Sequence, residues 1–498
     1  MTFARKLTTE RLAAAILFIM LFAIAVRVPL DTDTWWHIRS GEQIVDTGRV
    51  PHTDPFSHTR LGQDWIDHSW GSQVALYAAY ELFGGGTAPG DSGNIGLALF
   101  TATLATIGMA LVYLMCEGNA YLRAFAVVLG ASAAAVFWSP RPQMFSFALS
   151  ALVLYLLMLY KRKHIDRLWF IPPIMALWSN LHGGFALGFI IMVGVLAGEV
   201  LGNLFNPDDE RVIRWTRLRK PALVAVVSIP AIMLNPFGVT MLGYPLRTVR
   251  IGVLQDYIQE WASPNFHQLQ MWPFALLLLD TLVALGLTAR RADWTDLALT
   301  AGTAMLALMG GRNIALFAVA ATPVLTRAVD AWLEDRGWQI VPARRVRGAR
   351  LALNWILLAV IAAGALAKIA ATLNTTTMRD AQKASLPVEA AAYLNETPPP
   401  GEMFNTYNWG GYLMFAAPDV PVYVDGRTDL YDDDFLRDYL KITYLRDDWL
   451  DKLQAQDIGF VVIEANSVLA SGLRAYPDLW RERQFDDGRS SIFVRQES

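Results

Sequence analysis

The sequence predicts a polytopic α-helical membrane protein, with about 11 spanning helices and a small C-terminal α/β domain outside the membrane. Three observations lead there. Hydrophobic residues make up 54% of the 498-residue chain and charged residues only 17%, against about 25% charged in soluble domains. Apolar runs long enough to cross a bilayer, which takes about 20 residues, recur up to residue 370. Beyond Lys368 the composition turns polar and the apolar runs become short.

Spans are expected near 11–30, 93–115, 121–138, 143–160, 167–181, 184–202, 221–235, 271–289, 295–310, 312–333 and 350–370. The first follows Arg5, Lys6 and Arg11 as a signal peptide would. No small-residue cleavage site comes after it, so it reads as a retained helix. Asn180-Leu181-His182-Gly183-Gly184 breaks the long run 167–202 into two helices. The apolar stretch 70–83 is too short to span and is expected to lie along the interface or to re-enter. Residues 1–373 form the membrane domain, with a first outer loop at 31–69, and residues 374–498 the soluble one.

An odd number of spans puts the termini on opposite sides. With the N-terminus cytoplasmic, the cytoplasmic connections carry 20 basic residues, and the outer connections up to 270, with the turn at 312, carry 7. The positive-inside rule favours this orientation and places the C-terminal domain outside. Cytoplasmic loops then hold plain basic runs, while the polar clusters fall outside. These are Asp31 to His37, Ser139 to Gln143, Trp178 to Gly184, Leu234 to Gly238, Glu260-Trp261 and Gly311-Arg312-Asn313. Six of the seven histidines lie outside, all but His164.

The first outer loop is the richest segment. Trp35, Trp36, Ile38, Ile44 and Val45 alternate with Arg39, Glu42, Gln43 and Asp46, a pattern suited to an amphipathic helix in the headgroup region. Asp31 and Asp33 stand where the first span emerges. They can cap that helix, Asp33 can pair locally with His37, and Asp31, Asp33 and His37 together can hold a divalent metal. Arg141 can snorkel to headgroups, Asn180 and His182 can satisfy backbone groups freed at their turn, and Glu260-Trp261 can anchor at the interface. Arg312, between two apolar runs, is harder to explain by packing alone. A net charge of −3 gives no case for a nucleic-acid partner, and the lone Cys116 excludes intrachain disulfides and cysteine metal clusters.

The acidic opening of the first outer loop, with Trp35-Trp36 and Gly48 downstream, resembles the GT-C superfamily of polyprenyl-phosphate-sugar-dependent glycosyltransferases. The protein-mannosyltransferase-like and lipid-A-aminosugar-transferase-like branches are the most similar. They place an Asp-Glu pair there; here Thr34 follows Asp33, and Asp31-Thr32-Asp33 looks instead like the Asp-x-Asp form of other branches, some of which use a divalent metal such as Mg or Mn. The chain also resembles a bacterial subgroup that shares Asp-x-Asp-x-Trp-Trp-His, Trp-x-Asn-x-His-Gly-Gly, Asn408-Trp409-Gly410-Gly411-Tyr412 and Asp425-Gly426-Arg427. The resemblance implies a hexosyltransferase-type enzyme of the bacterial cytoplasmic (inner) membrane. It would work among membrane lipids and move a sugar, with inversion, to a glycan, lipid or protein acceptor. Asp33 is then the first candidate base and Asp31 the second. The lipid phosphate needs cationic donors, for which Arg141, Arg312, Arg247, Arg250 and His182 are candidates; His37, Asn180 and Glu260 are further site candidates. Arginine suits phosphate because its planar fork donates two hydrogen bonds.

In the tail, 420–424, 460–463 and 491–494 read as strands and 436–453 as a helix. Asp432-Asp433-Asp434 reads as a solvated helix start, and acceptor binding or a cover over the membrane site is the expected task of this domain. A transporter or flippase, and a non-catalytic envelope assembly protein, remain the competing classes. A transporter typically shows repeats and ionisable residues at mid-depth, and neither stands out here.

Overall fold

The computed structural model describes residues 7–249, 252, 260–338 and 346–496. A helix stands at each predicted span position: α1 (Thr9–Ala25), then α4 (Gly93–Met115), α5 (Ala120–Ala134), α6 (Gln143–Arg162), α7 (Ile171–Leu181), α8 (Ala186–Phe205) and α9 (Trp215–Ala231). After α10 (Thr240–Val249) follow α11 (Trp272–Leu287), α12 (Trp294–Met309), α13 (Ile314–Asp335) and α14 (Ala349–Thr372). Among the described residues, seven helical segments are long and apolar enough to cross a membrane, namely those containing α4, α5, α6, α8, α11, α13 and α14. The others are shorter, α1 and α9 at 17 residues each. Helix α9 also carries Pro221 and Pro230 within it. α13 is the central helix, packed against α5, α11 and α12, whereas α14 touches mainly α1.

Two helices sit between α1 and α4: α2 (Thr34–Thr47) and α3 (Trp70–Glu81). Neither lies as the sequence pattern suggests. In α2, Trp35, Trp36, His37 and Ile38 are buried in protein, against α3 on one side and the C-terminal region on the other. α3 packs between α2 and α4 with Ser72, Gln73 and Leu76 inaccessible. Trp35, Trp36 and Ile38 of α2 and Leu76 and Tyr80 of α3 therefore belong to a protein core, while Val45 of α2 stays exposed.

The C-terminal region holds α15 (Thr375–Lys383), α16 (Val388–Glu396), β1 (Glu402–Asn405), α17 (Tyr407–Ala416), α18 (Asp433–Thr443), α19 (Trp449–Ala455), β2 (Ile458–Glu464), α20 (Val468–Arg474), β3 (Trp480–Gln484) and β4 (Ser490–Arg495). The sheet runs β1-β2-β4-β3, with β1 and β2 parallel and the other pairs antiparallel. The strands expected at 460–463 and 491–494 are β2 and β4. The stretch 420–424 stays outside the sheet because its backbone is taken by the first loop: Val422 N–H donates to Phe56 O at 3.3 Å and His58 N–H to Val422 O at 3.1 Å. The helix expected over 436–453 is two, α18 and α19. Asp432 caps α18, its carboxylate accepting from Phe435 N–H at 2.8 Å.

One apolar core is common to the first loop and the C-terminal region. Trp35, Trp36, Phe56 and Trp65 pack with Leu413, Met414, Val422 and Ile492. Inside it lies Arg427, fully buried, with Nη1 2.6 Å from Asp54 Oδ1 and Nη2 2.7 Å from Asp425 Oδ2. The rings of Phe56 and Trp65 stack on its guanidinium at 5.2 and 4.8 Å. Two carboxylates desolvated around one guanidinium hold together the two segments that carry them.

The far end of α6 departs from expectation. Where plain basic runs are predicted, Lys161 pairs with Glu199 and with Asp293 at 3.2 Å. Arg162 and Arg327 reach Asp296 at 2.9 and 2.6 Å. These charges are buried because they staple α6, α8, α12 and α13 together. They stand about 30 Å from the start of α6.

Replacing Arg427 by Met should leave Asp54 and Asp425 buried without a counter-charge, at a cost of about 3–5 kcal/mol. Thermal unfolding should show a lower midpoint, and limited proteolysis should cut first beyond residue 374. D54N/R427M/D425N should recover part of the loss.

Candidate functional site

The site is assembled at the opposite end of α6 from the Lys161 network. Pro140 and Pro142 flank Arg141 in the turn between α5 and α6, and a proline restricts the residue before it to extended backbone. Arg141 Nη2 lies 2.8 Å from Asp33 Oδ2, and its Nη1 lies 3.3 Å from Asp31 Oδ2 and 2.7 Å from Glu260 Oε1. Glu260 is brought there by backbone pairing. Gly311 N–H donates to Ala262 O, and Arg312 N–H to Glu260 O, each at 3.0 Å.

Asp33, Arg141 and Glu260 line one cavity of about 780 Å³, together with His37, His68, His182, Tyr244, Trp261 and Arg312; Asp31 stands behind them on Arg141. The C-terminal region supplies its remaining wall through Gly426, Thr428 and Asp429. Gly426 permits this approach: a Cβ there would fall 1.9 Å from Asp33 Oδ1. At Gly411 it would fall 2.8 Å from Thr32 O and 3.1 Å from the Trp36 ring. The Asp31-to-His37, Gly410-Gly411 and Asp425-to-Asp429 motifs are thus three parts of a single junction.

Burial pushes the Asp33 carboxyl up to about 7, against the opposing pull of Arg141 and with the support of Asp31 and Glu260. Three acids facing one guanidinium leave an excess of negative charge, and retaining a proton relieves it. The Asp33 side chain keeps 23% exposure at the wall of the cavity it lines. Asp67 is likewise pushed up by burial to about 7. Its Oδ1 accepts from Gln73 at 2.7 Å.

His37, His68 and His182 are all driven down by burial and stay neutral at pH 7. For His182 the bonds also fix the tautomer. Trp178 Nε1–H donates to Ser146 Oγ at 2.7 Å, so the Ser146 hydroxyl donates to His182 Nδ1, also at 2.7 Å. Gly184 N–H reaches the same nitrogen at 3.2 Å. Nδ1 is an acceptor, which leaves Nε2 with the hydrogen.

The two arginines differ. Arg141 is committed to carboxylates. Arg312 stacks on Trp261 with its guanidinium carbon 3.9 Å from the ring centroid. Its guanidinium makes no ion pair or hydrogen bond among the described residues and is open to the cavity. An unpaired guanidinium on an aromatic face retains its donors for a ligand.

Other expected site residues lie elsewhere. Arg247 is exposed on α10 and does not line the cavity, and Arg250 lies outside the described residues. Asn180 is structural: its amide donates to Ala176 O and Leu234 O and accepts from Trp70 Nε1 at 2.9 Å. Asp33 gives no side-chain cap to α2, while Asp31 Oδ1 accepts from Asp33 N–H at 3.0 Å. Asp31, Asp33 and His37 do not form a metal site. Among the described residues no three His, Cys, Asp or Glu side chains are placed to hold an ion. Arg141 stands where a cation would have to sit between the two aspartates. Tyr244, His68 and Asp429 line the cavity without being among the expected site residues; His68 lies in the first outer loop and Asp429 two residues beyond Asp425-Gly426-Arg427, so the segments were marked but not these side chains, while nothing in the sequence around Tyr244 marks it.

No protein-family model matches the sequence, and no curated protein matches it. Solved structures do. The archaeal oligosaccharyltransferase AglB from Archaeoglobus fulgidus, in complex with an inhibitory peptide and a dolichol-phosphate, aligns over 97% of this chain and 74% of its own, with a TM-score of 0.58 at 12% identity. ArnT from Cupriavidus metallidurans, bound to undecaprenyl phosphate, aligns over 98% of both chains, with a TM-score of 0.53 at 14% identity. The chain has a GT-C-like fold. The alignments take in nearly the whole chain, membrane helices and C-terminal region together.

In a D67N background, the protonated Asp33 carboxyl should give an infrared C=O band at pH 5 that disappears as pH rises through about 7. Asp33→Asn should remove the band. Gly426→Ala, by forcing the wall away and admitting water, should move the midpoint down. Both acids hold their proton more tightly folded than at their ordinary value of 3.8. Their contribution therefore favours folding most below that pH and is lost as pH rises through about 7.

Proposed function

We propose that this protein is a glycosyltransferase of hexosyltransferase type. It moves a sugar from a polyprenyl-phosphate-linked donor to an acceptor hydroxyl, with inversion at the anomeric carbon. One observation carries the reading: a carboxyl held by Arg141 and an open guanidinium, Arg312, line the same cavity. The lipid phosphates bound by AglB and ArnT have the chemistry that such a guanidinium takes.

In the reaction, Asp33 removes the acceptor's hydroxyl proton as that oxygen attacks the anomeric carbon. The bond from that carbon to the phosphate oxygen breaks, and the electron pair leaves with the lipid phosphate. A base works best with a pKa near the operating pH, which is where burial puts Asp33. Arg312 stabilises the charge growing on the leaving phosphate, and His182 Nε2–H adds a neutral donor. Arg141 positions Asp33. Asp31 and Glu260 share its charge, so Asp31 supports the reaction by orientation.

The cavity faces the extracytoplasmic side of the bacterial cytoplasmic membrane. The support is the excess of basic residues in the connections assigned to the cytoplasm, 20 against 7. Acceptors available there are glycans, lipids and proteins.

Asp33→Asn should lower turnover on undecaprenyl-phosphoryl sugars by about 10²- to 10⁴-fold while undecaprenyl phosphate still binds. Arg312→Gln should weaken that binding by about tenfold or more. Wild-type kcat/KM should rise with pH to a plateau, with an apparent pKa near 7. Unchanged turnover in D33N would remove the case for catalysis at this site. For orientation, a cysteine placed at Asp434 in a C116S background should react with a membrane-impermeant maleimide in spheroplasts. Protection until lysis would reverse the topology.

A further inference from the structure

The wall that the C-terminal region presents to the cavity carries one carboxylate without a charged partner. Asp425 is consumed by Arg427 and by the Tyr431 hydroxyl at 3.0 Å. Thr428 is consumed by the Tyr407 hydroxyl at 2.6 Å and the Gly426 carbonyl at 3.3 Å. Asp429 is different. It is half-buried, lines the cavity, and makes no ion pair among the described residues. The Tyr244 hydroxyl donates to its Oδ2 at 3.1 Å. That bond fixes the carboxylate and leaves Oδ1 and further lone pairs for a donor in the cavity.

Tyr244 is itself held in place. Its ring lies against His68 with centroids 4.4 Å apart, and a Cβ on Gly183 would come within 2.7 Å of it. The group that pins Asp429 is therefore rigid. Trp261 and Trp36 line the same cavity, Trp261 under the Arg312 guanidinium and Trp36 against the His37 ring. A fixed carboxylate that accepts two hydrogen bonds, in a cavity bordered by indole side chains, suits neighbouring hydroxyls on a pyranose or furanose ring. It does not suit a phosphate, which it would repel, or an acyl chain, which would leave it desolvated and unpaired. The phosphate belongs with Arg312.

We propose that Asp429, oriented by Tyr244, is the sugar-reading carboxylate of the cavity and binds adjacent hydroxyls of a carbohydrate substrate. This rests on the glycosyltransferase reading above and assigns to the C-terminal region a direct contact with substrate. The carbohydrate is either the transferred sugar or a glycan acceptor; the chemistry is shared, and the experiment separates the two.

The full chain in detergent is titrated with a panel of methyl hexosides and pentosides, their deoxy analogues, undecaprenyl phosphate, and undecaprenyl-phosphoryl hexoses and pentoses. Saturation-transfer NMR reads the free glycosides and tryptophan fluorescence the lipids. Asp429→Asn should weaken carbohydrate binding by about 10- to 100-fold and leave undecaprenyl phosphate within about twofold of wild type. A deoxy analogue lacking one of the gripped hydroxyls should lose wild-type affinity and show no further loss in D429N. Weaker binding of free glycoside alone assigns Asp429 to the acceptor; weaker binding of the lipid-linked sugar alone assigns it to the donor. Tyr244→Phe should reproduce part of either loss. Wild type that binds undecaprenyl phosphate while D429N changes no carbohydrate affinity overturns the Asp429 assignment only, as does a D429N loss that falls equally on undecaprenyl phosphate. Wild type that binds neither lipid nor glycoside overturns both this assignment and the proposed function.

Discussion

The arrangement depends on Arg141. One guanidinium draws together Asp31 and Asp33, from the connection after the first helix, and Glu260, from a segment more than a hundred residues beyond it. Each of these acids, brought alone into a poorly solvated space, would cost several kcal/mol. Around a single planar fork they are tolerable, but the charges do not balance. Burial raises the proton affinity of Asp33, with Asp31 and Glu260 adding to it and Arg141 opposing it, so the packing that builds the site also sets its acidity.

Three arginines illustrate how the same side chain is put to three uses by its surroundings. Arg427 is sealed between Phe56 and Trp65 and fully satisfied by Asp54 and Asp425, so it fixes the C-terminal region on the first loop. Arg141 gives both terminal nitrogens to carboxylates but borders the cavity, so it orients groups that face substrate. Arg312 has an aromatic partner and open donors, so it is free to bind. This division follows from which carboxylates the backbone brings within reach of each arginine.

Much of this was legible in the sequence, and the remainder has physical reasons for being hidden. Helix positions follow from apolar length and from breaks such as Asn180 to Gly184. The polar clusters at one end of the helices could be read as a group because alternating spans return every second connection to the same face. What could not be read was which partner each polar residue would choose. Asp31 and Asp33 next to His37 look like metal ligands or a helix cap until Arg141, 110 residues from Asp31, is placed between them. Trp35 and Trp36 look like interface residues because their pattern reports only an apolar face. That the face meets Leu413 and Phe415 rather than lipid is a long-range fact. Asp429 follows the Asp425-Gly426-Arg427 motif closely, but its role shows only when Tyr244, whose neighbours in the chain are unremarkable, meets it in space. The charges around Lys161 read in the sequence as an ordinary basic loop because the acids that neutralise them come from other helices.

The central claim is that this cavity holds a lipid phosphate against Arg312, with Asp33 facing the sugar it carries. The most direct measurement is a cryo-electron microscopy map of the protein with undecaprenyl phosphate. The account predicts density for the phosphate in contact with the Arg312 guanidinium, with the isoprenoid chain leaving the cavity between membrane helices. Phosphate density elsewhere on the molecule, with Arg312 uncontacted, would contradict it.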